Sequence, residues 1–91
     1  MSAAARYCQQ LADAVRPLVA ADPARAARDT AASVGYAASM TDLVAAARAA
    51  AETIRHLDDA ADEIQRARDS LAATLRGVMD ETGLKIGRAH V

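Results

Sequence analysis

Four side chains that can bind metal ions recur at helical spacing in the middle of the chain. Glu52, His56, Asp59 and Glu63 are separated by intervals of four, three and four residues, so a continuous helix would carry them along one side. Carboxylates and imidazoles are zinc ligands, but helical bundles hold metal ions with inward-facing ligands from several helices. This stripe falls on the outer, polar face of the predicted helix. The pattern favours a solvated face, with a metal-binding helical bundle as an alternative function.

The single cysteine, Cys8, lacks the partners that a catalytic thiol needs. A nucleophilic cysteine requires a base and an electropositive pocket, and no motif links Cys8 to His56 or His90, the two histidines. Gly77 and Gly83 do not form a phosphate-binding loop, because no Gly-Lys-Ser/Thr follows them. We therefore predict that Cys8 is a small buried side chain and that the protein is not an enzyme and uses no cofactor. A lone cysteine also fits a reducing compartment.

The charge distribution argues against nucleic acid as the main partner. Eleven Lys and Arg residues are interspersed with twelve Asp and Glu residues, giving a net charge of −1, whereas nucleic-acid-binding proteins concentrate basic residues on one surface. The alternative is a nucleic-acid-associated regulatory protein that uses the basic C-terminal end. Its residues would be Arg66, Arg68, Arg76, Lys85, Arg88 and His90.

The chain also lacks the sequence features of membrane insertion and export. No run of 18 apolar residues is present, and a membrane-spanning helix needs about 20. The residues after Met1 do not form the charged start and Leu-rich core of a signal peptide. We therefore expect a soluble, cytoplasmic protein that does not contact a membrane.

Apolar residues between Met40 and Thr82 follow a heptad repeat, which indicates a helix with one buried seam. The first series recurs every seven residues, at Leu43, Ala50, Leu57, Ile64, Leu71 and Val78. The second lies four residues after each of these, at Ala47, Ile54, Ala61, Arg68, Leu75 and Thr82. The pattern predicts one long helix of roughly 60 Å at 1.5 Å per residue.

Two shorter helices are predicted before the long one. Ser2 is suited to cap the first, and Pro17 either ends that helix or kinks it. Asp22 followed by Pro23 is the expected N-cap and first residue of the second helix. Ser39, with Asp42 three residues later, has the form of a capping box that opens the long helix.

These elements predict an all-α fold, with two short N-terminal helices packed on one long C-terminal helix with heptad character. Residues 1–83 would form a single helical domain, with 84–91 as a C-terminal tail, because Gly83 suits the left-handed residue that ends a helix. The alternative is a compact four-helix bundle, in which a break at His56–Asp59 divides the long helix. The uninterrupted heptad phase, and the lack of Gly, Pro and Asn at this point, favour the continuous helix.

The long apolar stripe needs a surface to cover it, and two shorter Ala-rich helices cannot cover all of it. We therefore predict a homodimer through the long helices, with Leu57 and Ile64 near its centre, and a larger protein as a further partner. Arg68 interrupts the stripe and is suited to fix the register of packing or to reach a carboxylate. The interface candidates are Leu43, Ile54, Leu57, Ile64, Arg68, Leu71, Leu75 and Tyr36.

In size, helicity and lack of catalytic residues, the chain resembles small phage-encoded inhibitors, including anti-CRISPR proteins. It also resembles secreted, Ala-rich helical hairpins of similar length, although Val34-Gly35-Tyr36 stands where those proteins carry Trp-x-Gly, and Asp22-Pro23 adds a break. The absence of a catalytic constellation and the long apolar stripe predict a non-enzymatic protein–protein interaction module, and the first resemblance agrees with that role. Such a module would act as a small inhibitor or adaptor that binds a larger protein.

Overall fold

The computed structural model describes residues 2–86, which form four α-helices and no β-strand. The helices are α1 (Ala3–Ala20), α2 (Arg25–Ser39), α3 (Leu43–Arg55) and α4 (Asp62–Thr82). The all-α prediction is confirmed, and the structure has the four helices of the alternative arrangement. None of these helices is both long and apolar enough to cross a membrane.

Helices α1 and α3 form the centre of the fold. Each of them contacts the other and both remaining helices, whereas α2 and α4 do not contact one another within residues 2–86. The outer helices therefore lie on opposite sides of the central pair, in a molecule measuring 35 × 23 × 18 Å. Because many facing side chains are alanines, the core depends on close approach of the helices more than on bulky residues.

The predicted continuous helix from Met40 to Thr82 is wrong, because the chain turns between His56 and Ala61. The lack of Gly, Pro and Asn at this point does not prevent a turn. The turn needs none of them: its backbone N–H groups make short-range bonds, Leu57 to Ile54 and Ala60 to Leu57, each 3.1 Å. Among residues 2–86 the only non-glycine positions with positive φ lie elsewhere, in the two preceding turns.

The turn folds α4 back so that the chain covers its own apolar stripe. Ile54 and Leu57 are 2% exposed, and Leu71 and Leu75 are fully buried. They join α1 side chains in one core that includes Leu11, Val15 and Leu18. The homodimer through these residues stays a prediction, but the exposed stripe that motivated it is absent from the described chain.

The helix ends match the sequence predictions in part. The Ser2 side chain caps α1 by accepting a hydrogen bond from a backbone N–H, and Gly83 ends α4 in the left-handed conformation, both as predicted. Helix α1 continues through Pro17 to Ala20. Asp22 is not the N-cap of α2: its φ of 54° places it in the turn that follows α1, and α2 begins only at Arg25.

Part of the predicted tail contributes to the core. Leu84 is half-buried and Ile86 is buried against the helices, so the chain returns to the bundle after Gly83. The rest of the tail, 87–91, lies outside the described residues.

Candidate interaction surface

Three exposed large apolar side chains lie at the junction of α2 and α3. Among the described residues four such side chains are exposed, and three of them are here: Tyr36 at 72%, Met40 at 64% and Val44 at 41%. Tyr and Met are enriched at the centres of protein–protein interfaces. We call Tyr36, Met40 and Val44 the corner patch. The fourth exposed side chain, Val19, is near the end of α1.

A tight turn built around Thr41 holds the corner patch in place. The Asp42 N–H donates to the carbonyl of Ala37 at 2.9 Å, and the Thr41 N–H donates to that of Ala38 at 3.0 Å. These two bonds form the Schellman motif, which requires a left-handed residue and usually has glycine there. Thr41 takes that place with φ of 55°, which is strained for a β-branched side chain. Strained backbone of this kind tends to cluster at functional sites.

The polar residues beside this turn fix its two helix ends. The Asp42 carboxylate accepts a hydrogen bond from the Ala45 N–H at 3.1 Å and so caps α3. The Ser39 hydroxyl instead donates to the carbonyl of Tyr36 at 2.6 Å, within α2. The predicted capping role of Ser39 is therefore wrong, because the hydroxyl bonds to the end of the preceding helix.

A shallow groove continues from the corner patch along the outer face of α3. Its volume is about 370 Å³, and Val44 belongs to both features. The half-buried Ala45 and Ala49 border this groove together with the exposed, charged Arg48 and Glu52. An apolar centre beside charged residues is the usual composition of a transient protein–protein interface.

Of the interface candidates predicted from the sequence, only Tyr36 is exposed. Leu43, Ile64 and Arg68 are half-buried, and the remaining candidates, Ile54, Leu57, Leu71 and Leu75, pack inside the chain. Sequence reasoning missed Met40 and Val44. Their spacing was the available signal, because they follow Tyr36 at intervals of four and belong to neither series of the heptad repeat.

Arg68 acts within the chain, where it joins α4 to the end of α3. Its Nε donates to the carbonyl of Ile54 at 3.2 Å, and its guanidinium forms ion pairs with Asp58 and Asp69. Gln65, one turn earlier in α4, donates to the carbonyl of Leu57 at 2.8 Å and to two further carbonyls of the turn. The two side chains together add donors to backbone carbonyls at the end of α3 and in the turn, beside the backbone N–H bonds that the Ile54 and Leu57 carbonyls already accept.

The residues considered for chemistry do not assemble into a reactive centre in the described part of the chain. Cys8 is 1% exposed, and this burial, with a smaller contribution from the nearby Asp42 carboxylate, raises the pKa of its thiol. A raised pKa keeps the thiol protonated and a poor nucleophile. No three metal-ligating side chains lie close enough together within residues 2–86 to hold a metal ion. The turn after α3 separates Glu52 from Glu63.

The structure describes four of the six residues proposed for nucleic-acid binding. Arg66, Arg76 and Lys85 are exposed, Arg68 is ion-paired, and the remaining two, Arg88 and His90, lie outside the described residues. The nucleic-acid alternative therefore stays a prediction from the sequence. Comparisons of this chain with protein-family models, curated proteins and solved structures found no match.

Proposed function

We propose that this protein is a non-enzymatic interaction module that binds a larger protein through the corner patch. The observation that supports this function is the exposure of Tyr36 and Met40, 72% and 64%, in a chain that buries most of its other large apolar side chains. Burying one such side chain in a complex contributes roughly 1.5–3 kcal/mol. A partner that covers both gains an apolar centre for its interface.

A stable interface needs more surface than the corner patch provides. A stable interface buries about 800 Å² on each side, which is roughly a seventh of the 5412 Å² accessible surface of this protein. The corner patch alone is too small for this. The partner would therefore also contact the adjoining α3 groove, where Arg48 and Glu52 supply a charged rim.

The Tyr36 side chain and the turn beside it both lower the entropic cost of binding a partner at the corner patch. A tyrosine side chain loses little conformational entropy on binding, since it has only two rotatable χ angles. The turn bonds at Asp42 and Thr41 fix the backbone between the two helices. The patch is thus presented in one arrangement before binding, which lowers the cost of association.

The proposal can be tested by capturing partners from lysate of the source cells and then measuring affinity for the purified partner. The double substitution Tyr36→Ala with Met40→Ala should weaken that affinity by roughly thirtyfold or more, as expected for loss of about 2 kcal/mol at an interface hot spot. Val19→Ala is the matched control, because it removes another exposed apolar side chain outside the patch. It should leave the affinity unchanged.

Equal partner affinities of the unmodified protein, the double variant and Val19→Ala would refute a role for the corner patch. Circular dichroism of the double variant should match that of the unmodified protein, because both substituted side chains are exposed. The partner's own activity then separates the two modes of action. An inhibitor lowers that activity on binding, whereas an adaptor leaves it unchanged and recruits a third protein.

A further inference from the structure

We infer that the α2–α3 turn is a hinge through which two copies of this chain exchange helices α3 and α4. In the exchanged dimer, α2 and α3 of each copy would join into one continuous helix from Arg25 to Arg55. The inference concerns a second copy of the chain and does not require a foreign partner.

The first observation is the strain at Thr41. Its φ of 55° is unfavourable for a β-branched residue, whereas the helical conformation is permitted. Opening the turn relieves this strain in both copies. Short, strained hinge loops favour domain exchange for this reason.

The second observation is that a continuous helix keeps the corner patch on the outside of the exchanged dimer. Tyr36, Met40 and Val44 follow one another at intervals of four residues, so a continuous helix would align them in one stripe. Tyr36 lies on the side of α2 opposite the buried Ala31 and Val34, so the stripe stays exposed when α2 packs against α3 of the other copy.

The third observation is that most native contacts can re-form between the two copies. Helix α2 packs against α3, and the hydroxyls of the half-buried Thr30 and the buried Thr53 lie 2.9 Å apart. In an exchanged dimer the same pairs would form between chains instead of within one. Relief of the strain at Thr41 is gained in addition, and high protein concentration favours the dimer by mass action.

The other two turns do not have these properties. The turn after α1 also has a residue with positive φ, Asp22, but Pro23 follows it and cannot donate a helical hydrogen bond. The turn after α3 has no positive φ, and Arg68 and Gln65 hold it closed. The hinge is therefore assigned to Thr41.

Unfolding and refolding the protein at high concentration, followed by size-exclusion chromatography with light scattering, tests this inference. The unmodified chain should yield a dimer that persists on dilution, because the exchange reverses only by unfolding. Thr41→Gly relieves the strain in the closed turn and weakens the open helix at two hinges per dimer. The dimerisation constant should fall by roughly a hundredfold.

Two matched variants separate hinge strain from other effects. Thr41→Val keeps the β-branched shape and should still yield the dimer. Asp22→Gly makes the same kind of change at the other residue with positive φ and should leave the dimer fraction unchanged. The inference would be overturned if the unmodified protein were monomeric after refolding. It would also be overturned if the unmodified protein, Thr41→Gly, Thr41→Val and Asp22→Gly gave equal dimer fractions.

An intrachain distance distinguishes helix exchange from simple surface association. Spin labels at Ser33→Cys and Glu52→Cys, in a Cys8→Ala background, are measured with excess unlabelled chain so that each dimer holds one labelled copy. In the closed chain the two labels sit on neighbouring helices, whose axes are roughly 8–10 Å apart. In the open chain they are separated by about 28 Å of helix. A dimer fraction with the closed distance would show that the copies associate without exchange.

Discussion

The hydroxyl groups of Thr53 and Thr30 lie 2.9 Å apart and join α3 to α2 through a hydrogen bond. Thr53 is the only buried polar side chain in the described chain. Each hydroxyl also lies within hydrogen-bonding distance of a carbonyl of its own helix, at 2.8 Å for Thr53 and 3.0 Å for Thr30. The pair therefore fixes the register of two helices whose other facing residues are mostly alanines.

Removing either hydroxyl should destabilise the protein, and removing both should cost less than the sum. Thr53→Val keeps the side-chain shape and should lower the free energy of unfolding by about 1 kcal/mol, as for a typical hydrogen bond. Thr30→Val should have a smaller effect, because this side chain is only half-buried. The interaction free energy between the two substitutions, measured in the double variant, should be about 0.5–1 kcal/mol. Urea unfolding followed by circular dichroism measures all four proteins, and strictly additive effects would contradict the bond.

The Arg68 side chain should stabilise the turn between α3 and α4. Arg68→Met keeps much of the aliphatic stem but removes the bonds to the Ile54 carbonyl and the Asp58 carboxylate. Because the side chain is 23% exposed and water replaces part of the lost bonding, we expect a loss of roughly 1–2 kcal/mol in the free energy of unfolding. Chemical denaturation measures this loss.

Arg66→Met is the control for that substitution, since Arg66 is exposed on the same helix and should change stability by less than about 0.5 kcal/mol. Hydrogen exchange gives a local readout. In Arg68→Met, the turn amides of Leu57 and Ala60 should exchange faster than in Arg66→Met. Equal exchange rates in the two variants would argue against a role of Arg68 in the turn.

Substituting Thr41 should stabilise the monomer at low protein concentration. Thr41→Gly removes a left-handed backbone cost of roughly 1–2 kcal/mol, and part of that gain is offset by the greater freedom of glycine in the unfolded chain. The net rise in the free energy of unfolding should be about 0.5–1 kcal/mol. Thr41→Asn, which also tolerates the left-handed conformation, should stabilise the protein as well. Thermal unfolding compares the variants, and a lower melting temperature for both would contradict the strain.

The Cys8 thiol should make stability depend on pH in the alkaline range. Burial, and to a smaller extent the Asp42 carboxylate, raises its pKa in the folded protein above the ordinary value of about 8.5. The unfolded chain therefore loses this proton first, and the free energy of unfolding falls as pH rises from about 8.5 through the folded pKa. The stability difference between the unmodified protein and Cys8→Ala should narrow between pH 7 and pH 10. Parallel stability curves over that range would contradict the raised pKa.

The sequence by itself determined the helical class of the fold and much of its core. The four-residue and three-residue spacing of apolar side chains reflects the local geometry of the helix, so the stripe that contains Ile54, Leu57, Leu71 and Leu75 is buried. Gly83 ends the last helix as its lack of a Cβ predicts. These features depend on residues near one another in the chain, which is why periodicity reveals them.

Only the tertiary structure decided where the chain turns and which apolar residues stay outside. The turn after α3 is stabilised by a hydrogen bond from Arg68 to the carbonyl of Ile54, fourteen positions earlier in the sequence. The heptad repeat does not indicate that contact. Folding α4 back buries its stripe against α1, which gains more hydrophobic burial than an extended helix left in water. The same fold leaves Tyr36, Met40 and Val44 exposed, because no other helix of the described chain covers that corner.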